Sequence, residues 1–388
     1  MVNEIIGYLD FIDVSDFNYS HMNNQDELMF SNVKFESLSN SSELYDICNI
    51  AIIGVPESRN STCKEVSKSP LQIRKELYGL YVPGEINIID FGNIKHGKTV
   101  KDTYIALTEV VFELLKNELE VIIIGGSKDL IVPLCNAYKK GDKLFNLCVV
   151  EPSFNLTDNS GFFSEETYLA EIIEKNNKLF NYSNLGYQSY YNSISSINYI
   201  KENFEAIRLG FSRASLISNE PYIRDADVFS VDLSSVKASD APGVTKPTIH
   251  GYYGEEVCQL ASYAGFSDKV SSFGIYNMCQ SKDNKNQTSQ LAAQIIWHFI
   301  QGYYSRRGEY PNTEISKMKK YLVDVEGLDK KINFYKSEDT GRWWVEVPFK
   351  SKKKSGSKII SCSENDYQIA IQNEIPERWW NFYQKFNL

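Results

Sequence analysis

The chain has 388 residues, 42% of them hydrophobic and 23% charged, and carries a formal charge of −9. That length allows one large α/β domain with additions or two ordinary domains. The acidic balance argues against nucleic acid as the main partner, because phosphate binding needs a concentrated basic field. The longest apolar runs, "NIAIIGV" and "VIIIGG", fall far short of the ~20 residues of a membrane span. The opening "MVNEIIGYLDFIDVSDF" has neither a basic start nor a cleavable apolar core, so a cytoplasmic address is expected.

Residues 1 to about 48 are polar and aromatic with weak periodicity and end in the Asn/Ser-rich "SLSNSSEL". They are expected to form an N-terminal extension. "ICNIAIIGVPE" reads as a strand entering a loop, and "PLQIRKELY" as a helix, with proline at its start and helical spacing of Ile73 and Leu77. "EINIIDFGNI" gives a second strand. "DTYIALTEVVFELLKNE" is an amphipathic helix with an aspartate near its start, and it feeds the strand "VIIIGG" directly.

"NLCVVEP", "AIRLGF" and "VFSVDLS" supply further short apolar strands, and "QTSQLAAQIIWHFIQGYY" a second strong helix. Strands alternating with helices predict a mostly parallel sheet covered on both faces. Ligand sites in such sheets lie beyond the C-terminal strand ends. The turns after "IIIGG", "VVE" and "SVD" are therefore the positions where chemistry is expected.

From residue 308 onward the character changes, and four of the five tryptophans fall in "FYKSEDTGRWWVEVP" and "CSENDYQIAIQNEIPERWW". The expected organisation is an extension over 1–48, an α/β domain over 49–307 and a C-terminal extension over 308–388 with its own aromatic core. Trp343, Trp344, Trp379 and Trp380 are candidates either for that core or for a partner-binding surface, since tryptophan is favoured at interfaces. The basic run "KSKKKSGSK", Lys350 to Lys358, reads as a solvated loop.

Seven cysteines (Cys48, Cys63, Cys135, Cys148, Cys258, Cys279 and Cys362) are scattered and odd in number, which predicts reduced structural thiols. No G-x-S-x-G elbow is present, and no cysteine sits at a predicted site turn in a way that suggests activation.

An ordered series of segments resembles the ureohydrolase family (arginase, agmatinase, formimidoylglutamase), most closely its formimidoylglutamase-like branch. They are "IAIIGVPES", "SPLQIRKELY", "VIIIGGSKDL", "VVEPSFNL", "LFNYSNLGYQSYY", "FSVDLSSVKASDAPG", "FGIYNM" and "NQTSQLAAQIIWHFIQG", covering roughly residues 50 to 305. "GRWWVEVP" and "PERWW" also look like the extension found on some formimidoylglutamase-like bacterial proteins. The resemblance implies a three-layer α/β sandwich. It also implies two manganese ions, held by the histidine of a GGDHS turn, a D-A-H-x-D segment and a D-x-D segment, that turn water into a hydroxide nucleophile.

Residue by residue, the implied ligands are largely replaced. Lys128 stands for the turn histidine and Ser127 for the aspartate before it. Glu151 stands for the first aspartate of the second segment, Ser153 for its histidine and Asn155 for its last aspartate; Asp232 is kept and Ser234 replaces its partner. Ile275 occupies the position of the family's substrate-binding glutamate, with Asn277 kept and Met278 replacing a proline. Asp240, Pro242, Gly243 and Glu256 match loop and helix features of the family. None of His21, His96, His250 and His298 matches a ligand position.

Lysine has no lone pair while it is an ammonium, so no metal cofactor is expected. Stripping two dications from a carboxylate cage leaves costly uncompensated charge. The replacements look like its repair, and they predict an ion pair from Lys128 to Asp232 or Glu151. Two other readings stand beside this one: Lys128 as an exposed residue on a helix's first turn, and Glu151, Asp232 and Asn155 as oxygen ligands for one Mg²⁺ or Ca²⁺.

The resulting expectation is a catalytically inactive ureohydrolase-like protein serving as a binding or scaffold component with a protein partner, and with homo-oligomers in keeping with the resemblance. Two alternatives remain. One is an active formimidoylglutamase-type hydrolase cleaving a C–N bond of a formimino or guanidino substrate. The other is a small-anion sensor using the old cleft.

Overall fold

The computed structural model describes residues 5–35, 47–156, 163–309, 315–328, 331–350 and 355–387. The segment "SLSNSSEL" lies outside them, as do residues 351–354 of the basic run.

A ten-stranded, mostly parallel sheet forms the centre, with the order β1-β4-β3-β5-β10-β9-β6-β7-β8 and β2 paired to β4. Its strands are β1 (Leu9–Asp10), β2 (Val33–Phe35), β3 (Ile50–Val55), β4 (Ile88–Ile94), β5 (Glu120–Gly125), β6 (Phe145–Val150), β7 (Leu179–Tyr187), β8 (Glu205–Arg208), β9 (Val228–Asp232) and β10 (Ser272–Tyr276). Only β1 runs antiparallel to its neighbour.

The continuous apolar runs are explained by burial on both faces. Ile122 and Ile124 of β5 join the core beneath the helices Ser69–Leu77, Gly254–Gly265 and Gln287–Tyr303, while Val121 and Ile123 join the core beneath Val100–Lys116, Ile131–Lys140 and Tyr168–Lys175. The side-chain period of two in a strand makes the division. Each such buried side chain contributes roughly 1.5–3 kcal/mol relative to exposure. The helix Val100–Lys116 starts at a capping box: the Asp102 amide donates to Thr99 Oγ1 (3.3 Å) and the Thr99 amide to Asp102 Oδ2 (2.8 Å).

The N-terminal extension does not stand apart from the sheet: β1 and β2 complete one of its edges, and Met29 and Val33 lie in its core. Strands of two and three residues leave no readable periodicity. The basic run is also not simply a loop, since Lys350 ends β13 (Trp343–Lys350) and Ser355–Lys358 begin β14 (Ser355–Cys362).

The C-terminal residues build a second, antiparallel sheet, β11 (Lys319–Val323), β12 (Ile332–Lys336), β13 and β14, packed with the helices Glu364–Ile371 and Glu377–Asn387. Trp343, Trp344 and Trp379 are buried, which removes them as partner-binding candidates; of the four only Trp380 is exposed, at 40%. Two buried arginines, Arg224 and Arg378, and the partly buried Arg342 fix this module to the α/β unit. Arg378 pairs with Glu205 and, at 2.6 Å, with Asp225; Arg224 donates to the carbonyls of Trp343 (2.9 Å) and Cys362 (3.2 Å); Arg342 pairs with Glu220 at 3.1 Å.

Candidate functional site

The four central strands β5, β10, β9 and β6 end side by side, and the turns after them supply the side chains of one cleft. β5 runs into Gly125-Gly126. A Cβ on Gly125 would collide with the Tyr276 ring and one on Gly126 with the backbone of Glu57, so both glycines are required by close approach. Beyond them Asp129 is fully buried, accepting from Ser127 and Tyr104 and, at 3.2 Å, from Asn60. Asp129 therefore fixes the turn and leaves Lys128 to enter the cleft.

Lys128 is buried, at 7% exposure, so the exposed-helix reading is overturned. Its Nζ lies 3.0 Å from Asp232 Oδ2 and 3.9 Å from Glu151 Oε2. Burial opposes its charge, but the two carboxylates outweigh burial and hold its pKa above the ordinary lysine value. Asp232 is the closer counter-ion. Glu151 is the weaker one, because burial pushes its carboxyl up to about 7 against the pull of Lys128.

Both carboxylates also accept hydrogen bonds from neutral donors. Asp232 Oδ1 accepts the Ser234 amide at 2.8 Å. Glu151 Oε1 accepts Tyr168 Oη at 2.7 Å, and Oε2 accepts Asn155 Nδ2 at 2.6 Å. Asn155 reaches Glu151 from a left-handed backbone (φ 54°), and Ser153 Oγ donates to Asn155 Oδ1 at 3.1 Å. The strand-end positions named from sequence thus converge.

Ile275 does not join them. It lies within β10 in the apolar core, and Asn277, two residues on with φ 72°, lines the cleft instead. Ile275 is held inside the strand while Asn277 lies one residue past its end, where the left-handed backbone redirects the side chain, a difference that matching motif letters does not carry.

The cleft has a volume of about 330 Å³. Besides Lys128 and Asp232 it is lined by Asn155, Glu165, Ser234, Lys246 and Asn277. Ser234 Oγ and Asn277 Oδ1 are buried without a hydrogen-bond partner. Glu165, which sequence reasoning missed, is 3% exposed and accepts the Thr62 amide at 3.0 Å; burial raises its carboxyl above the ordinary value. Its only sequence signal was the pair of acids in "SEET". Lys246 pairs with Glu166 at the mouth.

Beside the cleft, Cys63 and Cys279 form a disulfide across 216 residues of chain, correcting the expectation of seven reduced thiols; Cys48, Cys135, Cys148, Cys258 and Cys362 are free and buried. The loops after β3 and β10 bring the pair together, which sequence spacing cannot report. His250 is exposed in the loop beyond Asp232, and His298 is half-buried on its helix, its pKa lowered by burial. Among the described residues no helix is long and apolar enough to cross a membrane.

Fold and site together define an α/β protein of ureohydrolase architecture with a strand-end cleft. The chain belongs to the arginase family, whose family model matches residues 48–301. It is 26% identical over 287 residues to a formimidoylglutamase of Staphylococcus haemolyticus, covering 70% of this chain and 92% of that protein, and 25% identical over 288 residues to one of Staphylococcus aureus. The fold matches a formiminoglutamase of Trypanosoma cruzi solved with Mn²⁺ (TM-score 0.65, 19% identity, 72% of this chain and 99% of that one). It also matches a formimidoylglutamase of Bacillus subtilis (TM-score 0.66, 19% identity, 74% and 94%).

A two-manganese centre can be tested against the side chains present. Hard dications need free carboxylate oxygens and neutral imidazoles. Here each oxygen of Glu151 and Asp232 accepts from a donor of the chain, the Lys128 ammonium stands beside both carboxylates, and Ser153, Asn155 and Ser234 are neutral. These residues do not fit two manganese ions. A single Mg²⁺ or Ca²⁺ would have to displace the Lys128 ammonium, which lies 3.0 Å from Asp232 and 3.9 Å from Glu151.

Proposed function

We propose that this formimidoylglutamase-like protein keeps the family's cleft as a binding site for a small polar molecule and does not carry out two-metal C–N hydrolysis. One observation carries the reading: the Lys128 ammonium sits between Asp232 and Glu151, and the oxygens a metal would need are already engaged. Ser234 Oγ and Asn277 Oδ1 supply hydrogen-bonding capacity that a ligand would use. A small-anion sensor has less support, since the cleft cations Lys128 and Lys246 are both paired. A scaffold role rests on Trp380 alone among the four tryptophans considered.

An active hydrolase is the second reading, favoured by similarity that spans 92% of the staphylococcal formimidoylglutamase. The decisive experiment is metal analysis of the purified protein, with assays on formiminoglutamate, agmatine and arginine in Mn²⁺. Neither stoichiometric manganese nor turnover is expected. Manganese with turnover would establish the second reading.

A further inference from the structure

The carboxylates of Asp232 and Glu151 form a cage that is itself a cation site, and we propose that Lys128 is its resident occupant: a tethered counter-ion whose removal leaves a vacancy for a free cation. Asp232 is 1% exposed and Glu151 is fully buried, so neither can recruit bulk water to offset its charge. Among the described residues, the one cationic group within ion-pair distance of either is Lys128 Nζ, at 3.0 and 3.9 Å. Tyr168, Asn155 and the Ser234 amide hold the carboxylates in place with neutral donors, so the cage is shaped by groups other than the lysine. Ser234 Oγ, on a residue 4% exposed, lines the same cavity without a partner and offers an additional oxygen.

Shortening Lys128 to alanine therefore leaves a carboxylate-lined space. Its occupant would be a small alkylammonium, which reproduces the lost side-chain end, or a divalent ion coordinated through oxygen. The inference rests on the metal-free reading for the native protein but concerns a different quantity, the stability of the cage.

The test compares thermal unfolding of the full chain and its Lys128→Met, Lys128→Ala and Lys128→Met/Asp232→Asn variants, with and without propylammonium, Mn²⁺ or EDTA. The native Tm should be unmoved by all three additives. Lys128→Met should unfold several degrees lower, and adding Asp232→Asn should recover at least half of that loss. Lys128→Ala should gain Tm from propylammonium or Mn²⁺ where the native protein does not.

Equal stability of Lys128→Met and the native chain would overturn the proposal. So would a double variant no more stable than Lys128→Met, or a native protein that Mn²⁺ stabilises as much as it does Lys128→Ala. If Lys128→Met fails to fold, recovery of folded protein by Asp232→Asn supports the proposal and failure of both overturns it. Catalytic turnover by the native protein would defeat the metal-free reading, whereas the unfolding of the variants decides the cage independently.

Discussion

Lys128 and Asp232 are 104 residues apart in sequence and joined by a 3.0 Å hydrogen-bonded ion pair between the ends of β5 and β9. One strand, β10, lies between them in the sheet, so the pair ties the two sides of the central parallel unit together directly above it. Breaking a buried pair from one side costs more than the pair contributes, because it strands a charge. Asp232→Ala should therefore lower stability by about 3–5 kcal/mol, the range for such an uncompensated charge. Urea unfolding would measure this, and a loss below about 1 kcal/mol would show that Lys128 is solvated without Asp232.

Glu151 gives a pH dependence of definite sign. Its carboxyl rises in the folded protein to about 7 from an ordinary value near 4.5, so the folded state binds the proton more tightly than the unfolded one. Its contribution to stability is fully present below about pH 4.5 and is lost as the pH rises through about 7. The loss is on the order of 3 kcal/mol. Glu151→Gln should flatten this part of the stability–pH curve, which unfolding in a series of buffers would reveal; parallel curves for the two proteins would rule it out.

The Cys63–Cys279 crosslink closes a loop of 216 residues next to the cleft. Peptide mapping without reductant should recover the linked pair. Reduction, or Cys63→Ser, should destabilise the protein by about 2–4 kcal/mol. Dithiothreitol should have no comparable effect on the Cys63→Ser variant.

Arg378 is 5% exposed and bridges Glu205 and Asp225 of the α/β unit from the last helix of the chain. Arg378→Met should release the C-terminal module to proteolysis and cost about 3–5 kcal/mol by stranding those carboxylates. Trp380→Ala should change stability by no more than about 0.5 kcal/mol, as surface substitutions usually do. If Trp380 contacts a partner, that substitution should weaken the complex without touching the fold, a separation that deleting the module would not give.

The sequence by itself determined the layers and the location of the chemistry. Runs such as "VIIIGG" are long enough and apolar enough to require burial on both faces, and the helix Gln287–Tyr303 is legible from its period alone. The series of turns also marked the positions where the resemblance places metal ligands, because residue identities are local facts. Tertiary structure decided what no local pattern encodes. β10 carries Ile275 in the core and ends at Tyr276, and the left-handed turn at Asn277 brings that side chain to the cleft. Two very short N-terminal strands find the sheet edge by pairing with β4, and two cysteines at opposite ends of the domain meet because the loops after β3 and β10 converge. Trp343 and Trp379 turn inward because a small antiparallel sheet needs large apolar groups to close its core, and Lys128 turns inward because two buried carboxylates stabilise an ammonium that burial alone disfavours.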